Sequence, residues 1–137
     1  MASAPLTAFT KLLVLDLERA VTFYKTIGFI EVGRDSTFVH LRWEPQGDIF
    51  LVSLPKSVQV DGKRGWGVLL GFLAQNEGGV DALATKATAL GGPVQGPDTQ
   101  PWHTREIVIT DLDGYRLNFI EPLLLQPFAK TGSSTAS

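Results

Sequence analysis

Pro101-Trp102-His103-Thr104-Arg105-Glu106-Ile107-Val108-Ile109-Thr110-Asp111-Leu112-Asp113-Gly114-Tyr115 is the stretch on which the fold turns. Arg105 to Thr110 is rich in β-branched residues, which suit a pleated, half-buried surface, so it reads as a strand. Asp111 to Gly114 is a turn, because Asp and Gly supply the local hydrogen bonds and positive φ that a tight reversal needs. Tyr115 to Glu121 then reads as the last strand of a hairpin. Working backwards, Val94-Gln95 is a short strand before a loop at Pro97. Val80, Leu83, Ala84, Ala87 and Leu90 fall at helical spacing, with Gly91-Gly92 as the stop. Trp66 to Ala74 is an apolar strand.

The same order occurs earlier in the chain. Phe9 to Leu15 reads as a strand, and Asp16 can cap the helix that follows, with Glu18 in its first turn. Leu17, Ala20, Val21, Tyr24 and Ile27 lie on one helical face, and Gly28 ends the helix. Phe23 and Tyr24 are expected as core aromatics. Phe29 to Val32, Thr37 to Trp43 and Ile49 to Leu54 read as three strands, with Pro45-Gln46-Gly47-Asp48 as a turn. Ser53 to Gly65 is a linker carrying Pro55 and Asp61-Gly62. The repeat lies in element order and not in residue identity. The fold class expected is α+β: two tandem βαβββ modules, about 8–54 and 66–122, forming a curved mixed sheet that encloses a groove. An αβ-plait, with fewer strands per helix, is the alternative. The whole is expected as a single domain over 1–130. Pro122 to Phe128 would pack as an extra segment, and 131–137, made only of Thr, Gly, Ser and Ala, is expected to be a disordered tail.

The totals exclude several function classes. A chain of 137 residues is one domain's length, and such a domain buries roughly two-thirds of its unfolded surface. A formal net charge of −2 favours neither nucleic acid nor an anionic membrane as partner. With no cysteine, disulfides, thiolate metal sites and cysteine nucleophiles are out. The only histidines are His40 and His103, too few for a histidine-rich metal site. No run approaches the ~20 apolar residues that span a membrane, and Met1 to Pro5 lacks the basic start of a signal peptide. A cytoplasmic location is the expectation.

Three segments carry a family resemblance. Asp16-Leu17-Glu18-Arg19-Ala20-Val21-Thr22-Phe23-Tyr24 with Ile27-Gly28-Phe29, then Val80-Asp81-Ala82-Leu83 with Leu90-Gly91-Gly92, then Pro101 through Glu121, occur in order across nearly the whole chain. Together they resemble the glyoxalase/bleomycin-resistance/dioxygenase (vicinal oxygen chelate) superfamily. The Pro101-Trp102 and Arg105-Glu106 pairs are closest to its bleomycin-resistance branch. The resemblance implies tandem modules, a small-molecule site and a homodimer.

It also implies where a metal would sit. Metal-using members take one His, Gln or Glu from each of four strands. The matching positions here are Phe9, seven residues before the capping Asp16; Leu51; Leu70 or Phe72; and Asn118, four residues after Gly114. A hard divalent ion needs several oxygen or imidazole ligands, and Phe, Leu and a neutral amide do not replace them. The expectation is therefore no metal and no cofactor, and a Lewis-acid route has no ligand set to support it.

Strand alternation assigns the remaining candidates. Phe9 and Lys11 face the groove from the first strand. Phe38, His40 and Arg42 do so from the third, leaving Val39, Leu41 and Trp43 for the core. Ile49, Leu51 and Ser53 are assigned to the groove on the fourth strand, Glu106, Val108 and Thr110 on the seventh, and Arg116, Asn118 and Ile120 on the last. The ionisable groups of this groove are mostly basic, whereas members that sequester cationic bleomycin-type drugs are acidic. Gly33 stands where those members place an aromatic. Trp102 remains as a stacking surface for a planar ligand. The function expected is metal-independent binding of a planar or partly anionic small molecule, with an antibiotic-resistance role. The alternative is a lyase, isomerase or dioxygenase-like enzyme of the same superfamily, a glyoxalase-type lyase first, with Glu106 and His40 as its weak acid–base candidates.

Overall fold

In the computed structural model the chain is described over residues 5–55, 57–59 and 64–123. The expected segment at Pro122–Phe128 lies largely outside these residues, and the expected tail at 131–137 lies wholly outside them. The elements run β1 (Phe9–Val14), α1 (Leu17–Ile27), β2 (Ile30–Arg34), β3 (Phe38–Trp43), β4 (Gly47–Ser53), β5 (Leu70–Leu73), α2 (Gly79–Ala89), β6 (Val94–Gln100), β7 (Thr104–Thr110) and β8 (Arg116–Pro122). This is an α+β fold of two tandem βαβββ modules. The eight strands form two four-stranded mixed sheets, ordered β1-β4-β3-β2 and β5-β8-β7-β6. In each sheet the first strand of the module pairs parallel with the last, and the other pairings are antiparallel.

The chain divides into two compact units. One holds the described residues up to Val68 together with Asp111–Tyr115; the other holds Leu69–Thr110 and the described residues from Arg116. In the first unit α1 packs on β3 and β4. Its start is set by Asp16, whose carboxylate accepts the backbone N–H of Arg19 at 3.1 Å. Its end is set by Gly28 at φ 132°, whose N–H reaches the carbonyls of Tyr24 and Lys25. A Cβ at Gly28 would lie 2.7 Å from the Trp43 ring, so both backbone and packing require glycine there. Ala20, Val21, Phe23, Tyr24 and Ile27 bury one face of the helix against Val39, Leu41, Ile49 and Leu51.

The second unit repeats the plan. α2 packs on β6, β7 and β8 through Val80, Leu83 and Ala87, against Ile107, Ile109, Leu117 and Phe119. Gly78 at the helix start offers no side chain, and the carboxylate of Glu121 accepts the Val80 N–H instead, at 3.0 Å. A carboxylate there also complements the positive end of the helix dipole.

Some boundaries differ from the expectations above. Only Leu70–Leu73 of the apolar run Trp66–Ala74 is strand, and Trp66 and Gly67 form a turn. β6 continues to Gln100, past Gly96-Pro97, by shifting register between Gln95 and Asp98. β8 starts at Arg116 because the Tyr115 N–H is taken by the Asp111 carboxylate at 2.8 Å.

Candidate functional site

The face of the first sheet turned away from α1 follows from register. Cross-strand partners share a face. Phe38 pairs with Val52, His40 with Phe50 and Arg42 with Asp48, while Phe9 pairs with Asp48 and Lys11 with Phe50. Phe9, Lys11, Phe38, His40, Arg42, Asp48 and Phe50 therefore lie on one side. Val39, Leu41 and Leu12 pair with Leu51, Ile49 and Leu51 and lie on the helix side.

This corrects the assignment of β4. Leu51 and Ile49, at 0% and 1% exposure, belong to the core under α1, and Leu51 cannot line this face. Ser53 sits on the Leu51 side of the strand by the same alternation. The run Ile49-Phe50-Leu51-Val52 is apolar at every position, so its own pattern carries no parity. The charge on Asp48 does carry it, because a strand that puts Asp48 opposite Arg42 must put Phe50 opposite His40.

The face is aromatic at its centre. The rings of His40 and Phe50 stack with centroids 4.5 Å apart and planes 9° apart. Phe9 and Phe38 flank Phe50 at 4.9 and 5.5 Å. Phe9 is 49% exposed, Lys11 is exposed, and Phe38 and Phe50 are partly so. Gly33 pairs with His40 across β2–β3, and a Cβ there would meet nothing within 4 Å. The space at Gly33 itself is open, while His40 is 9% exposed.

On the same side of the sheet lies a buried charge cluster. Asp48 Oδ1 accepts from Arg42 Nε and from His40 Nε2, each at 2.7 Å. The Arg42 and Asp48 side chains are 2% and 0% exposed. Burial pushes the Asp48 carboxyl upward, but the hydrogen bonds from Arg42 and His40, with their charges, outweigh it and hold the pKa below the ordinary aspartate value. The face is consequently less basic than residue types suggested: Arg42 is neutralised by Asp48 and cannot offer its charge to a ligand. Lys11 keeps an exposed positive charge.

In the second unit the face turned away from α2 carries Glu106, Val108, Arg116, Asn118 and Ile120, as alternation implied. Its core-side partners Ile107, Ile109, Leu117 and Phe119 are buried. Glu106 Oε2 accepts from Trp102 Nε1 at 3.0 Å and from Thr104 Oγ1 at 2.7 Å, while Asn118 Nδ2 lies 3.4 Å from Oε1. Burial raises the Glu106 pKa, and these three donors more than offset it, so the carboxyl is held below its usual range. Trp102 is 56% exposed and pinned by its indole N–H. His103 closes the preceding turn at φ 67°, in the left-handed region. Arg116 donates to the Gln95 amide oxygen at 3.1 Å.

The positions that would hold the family's metal do not fit one. Phe9 stands on β1. On β4 the residues facing the same side as Phe9 are Asp48, Phe50 and Val52, and Asp48 is already taken by Arg42 and His40. On β5 the residues on the Asn118 side are Gly71 and Leu73, not Leu70 or Phe72. Asn118 is a neutral amide donating to the Ile107 carbonyl. Among the described residues no group of three or more His, Asp or Glu side chains could hold a metal ion. His40 and Glu106, the acid–base candidates, belong to different units, and each is bonded to partners within its own.

Comparison with known proteins agrees with this architecture. A hypothetical protein from S. aureus is similar over 87% of this chain and 95% of its own, with TM-score 0.71 and 25% identity. A glyoxalase/bleomycin resistance protein/dioxygenase family enzyme from Burkholderia phytofirmans PsJN is similar over 84% and 97%, with TM-score 0.69 and 20% identity. A lactoylglutathione lyase from Agrobacterium tumefaciens is similar over 91% and 98%, with TM-score 0.63 and 23% identity. At those identities the last two speak for fold alone. No curated protein matches the sequence. No helix among the described residues is long and apolar enough to cross a membrane. The sequence model of the Glyoxalase/Bleomycin resistance protein/Dioxygenase superfamily matches residues 7–119, and the chain belongs to that superfamily.

Proposed function

We propose that this chain is a metal-independent binding protein that holds a planar, partly anionic small molecule on the aromatic face of its first sheet. Sequestration of an antibiotic or a similar planar compound is the role this reading gives it. The observation that carries it is the row Phe9, Phe50 and Phe38, exposed or partly so, with the buried His40 ring stacked on Phe50 and Lys11 beside it. Aromatic rings favour offset or tilted contacts with another ring, and such surfaces with a few polar groups are what small-molecule sites are made of. Lys11 supplies a positive charge for an acidic substituent. Trp102, with its anchored indole, is a second stacking surface in the other unit. Residue types at the metal positions support the metal-independent part. A glyoxalase-type lyase working through His40 and Glu106 gains no support, since each is committed to partners in its own unit.

The test is calorimetric titration with 2-naphthoate, with and without EDTA. Saturable binding is expected, unchanged by the chelator, with the ligand recovered unaltered. Phe50→Ala should weaken it by about tenfold, the worth of one lost aromatic contact. Gly33→Phe, which fills the open space beside His40 without touching the core, should weaken it too. Binding that appears only after a divalent ion is added would refute the reading.

A further inference from the structure

The Asp48–His40 contact fixes more than the position of a ring. Asp48 is ionised through the neutral range, because its pKa is held low, and an ionised carboxylate only accepts hydrogen bonds. At 2.7 Å from Asp48 Oδ1, Nε2 of His40 must therefore carry the proton. Whenever the ring is neutral, Nδ1 is then the nitrogen with the lone pair. No hydrogen bond to Nδ1 is made by any described residue, and Nε2 is the nitrogen engaged. The ring cannot turn over to exchange the two nitrogens without breaking that bond. It is also held flat against Phe50, with ring centroids 4.5 Å apart. His40 thus presents an oriented Nδ1 acceptor that no described residue fills, on a ring that is 9% exposed and stacked on the partly exposed Phe50.

We propose that His40, with Asp48 as its positioning residue, selects planar aromatic ligands that carry a hydroxyl or N–H group, which Nδ1 accepts. This rests on the aromatic face being a ligand site and adds to it the chemistry that discriminates among ligands. A site with an acceptor of fixed direction on a largely buried ring penalises a ligand that covers the acceptor without donating to it. The discrimination comes from leaving that nitrogen dry and unpartnered. A ring that stacks equally well but bears a methoxy group is such a ligand.

The experiment compares 6-hydroxy-2-naphthoate with 6-methoxy-2-naphthoate by calorimetry on the full chain. The two share a ring system and an acid group and differ in the donor. The hydroxy compound is expected to bind wild-type protein on the order of tenfold to a hundredfold more tightly. In His40→Phe, which removes the acceptor, the ratio of the two affinities should collapse towards one, whatever the change in the affinities themselves. Equal affinities in the wild type would overturn the proposal and leave the binding reading intact; no binding of either would overturn both. A measurement free of any variant is long-range 1H–15N NMR of the wild-type imidazoles, with only two histidines to assign. It should show His40 as the Nε2–H tautomer, and the Nδ1 resonance should move when 6-hydroxy-2-naphthoate is added. An Nδ1–H tautomer in the free protein, or an Nδ1 resonance that stays still at saturation, would also overturn it.

Discussion

At the scale of single residues, Asp48 decides how the first sheet is built. The Arg42–Asp48 pair is buried almost completely, so removing one partner leaves an uncompensated charge in the interior. Asp48→Ala should cost about 3–5 kcal/mol in urea unfolding at neutral pH. Its pH dependence has a definite sign. A carboxyl whose folded pKa is lowered contributes stability above its unfolded value and loses it as pH falls through the folded value. The gap between wild type and Asp48→Asn should therefore be largest near pH 7 and should shrink below the ordinary aspartate value of 3.8. Equal gaps at pH 7 and pH 3 would show that the charge is not what the cluster needs. Phe38, His40 and Arg42 were legible in the sequence because Val39, Leu41 and Trp43 alternate with them. Asp48 was not, because Pro45-Gln46-Gly47-Asp48 reads as a turn by composition. Register, which composition does not reveal, makes Asp48 a strand residue opposite Arg42. The same blindness turned a neutralised arginine into an expected basic groove.

At the scale of elements, Asp111-Leu112-Asp113-Gly114-Tyr115 does two jobs, and only one was legible. The turn itself follows from local chemistry. Asp111 Oδ1 accepts the N–H groups of Asp113 and Tyr115 at 2.9 and 2.8 Å, and Gly114 takes φ 97°. The second job is a set of bonds within the first unit. Asp111 Oδ2 accepts the phenol of Tyr24 at 2.5 Å, Asp113 Oδ1 accepts from the Leu15 N–H and from Arg64, and the Tyr115 hydroxyl donates to the Leu13 carbonyl. Those partners lie up to 102 residues away in the chain, and no local pattern announces them. Burial raises the Asp111 pKa, against the hydrogen bonds it accepts. A raised acid contributes its stability below the unfolded pKa and loses it as pH rises through the folded one, so the charged form is the one that depends on its donors. Tyr24→Phe removes a donor from a buried carboxylate and should cost about 1–3 kcal/mol at pH 7. The deficit should be smaller at pH 4, where more of Asp111 is protonated and needs that donor less. A deficit independent of pH would assign the loss to packing of the ring instead.

At the scale of the whole chain, duplication was the most legible property, because two passes of strand, helix and three strands survive even where individual boundaries slip. What duplication leaves open is how the modules are used, and the exposed residues bear on that. Trp66, Val68 and Leu69 are 68, 54 and 50% exposed and nearly consecutive. Single exposed apolar residues are ordinary, but large ones gathered together mark an interaction surface. They lead directly into β5, which lies at the edge of its sheet, where strands are prone to meet another chain. A second copy of this chain is the partner expected from the superfamily, and association there would cover both the apolar run and the edge. Light scattering at tens of micromolar should then return twice the 14.9 kDa of one chain. The double variant Val68→Lys, Leu69→Lys places charges in exposed positions that the core does not use, so it should return the single-chain mass with little change in melting temperature. Its naphthoate affinity then separates two designs. Binding retained by the monomer makes the face of the first sheet sufficient by itself, whereas binding lost with the dimer means that a second chain helps to complete it.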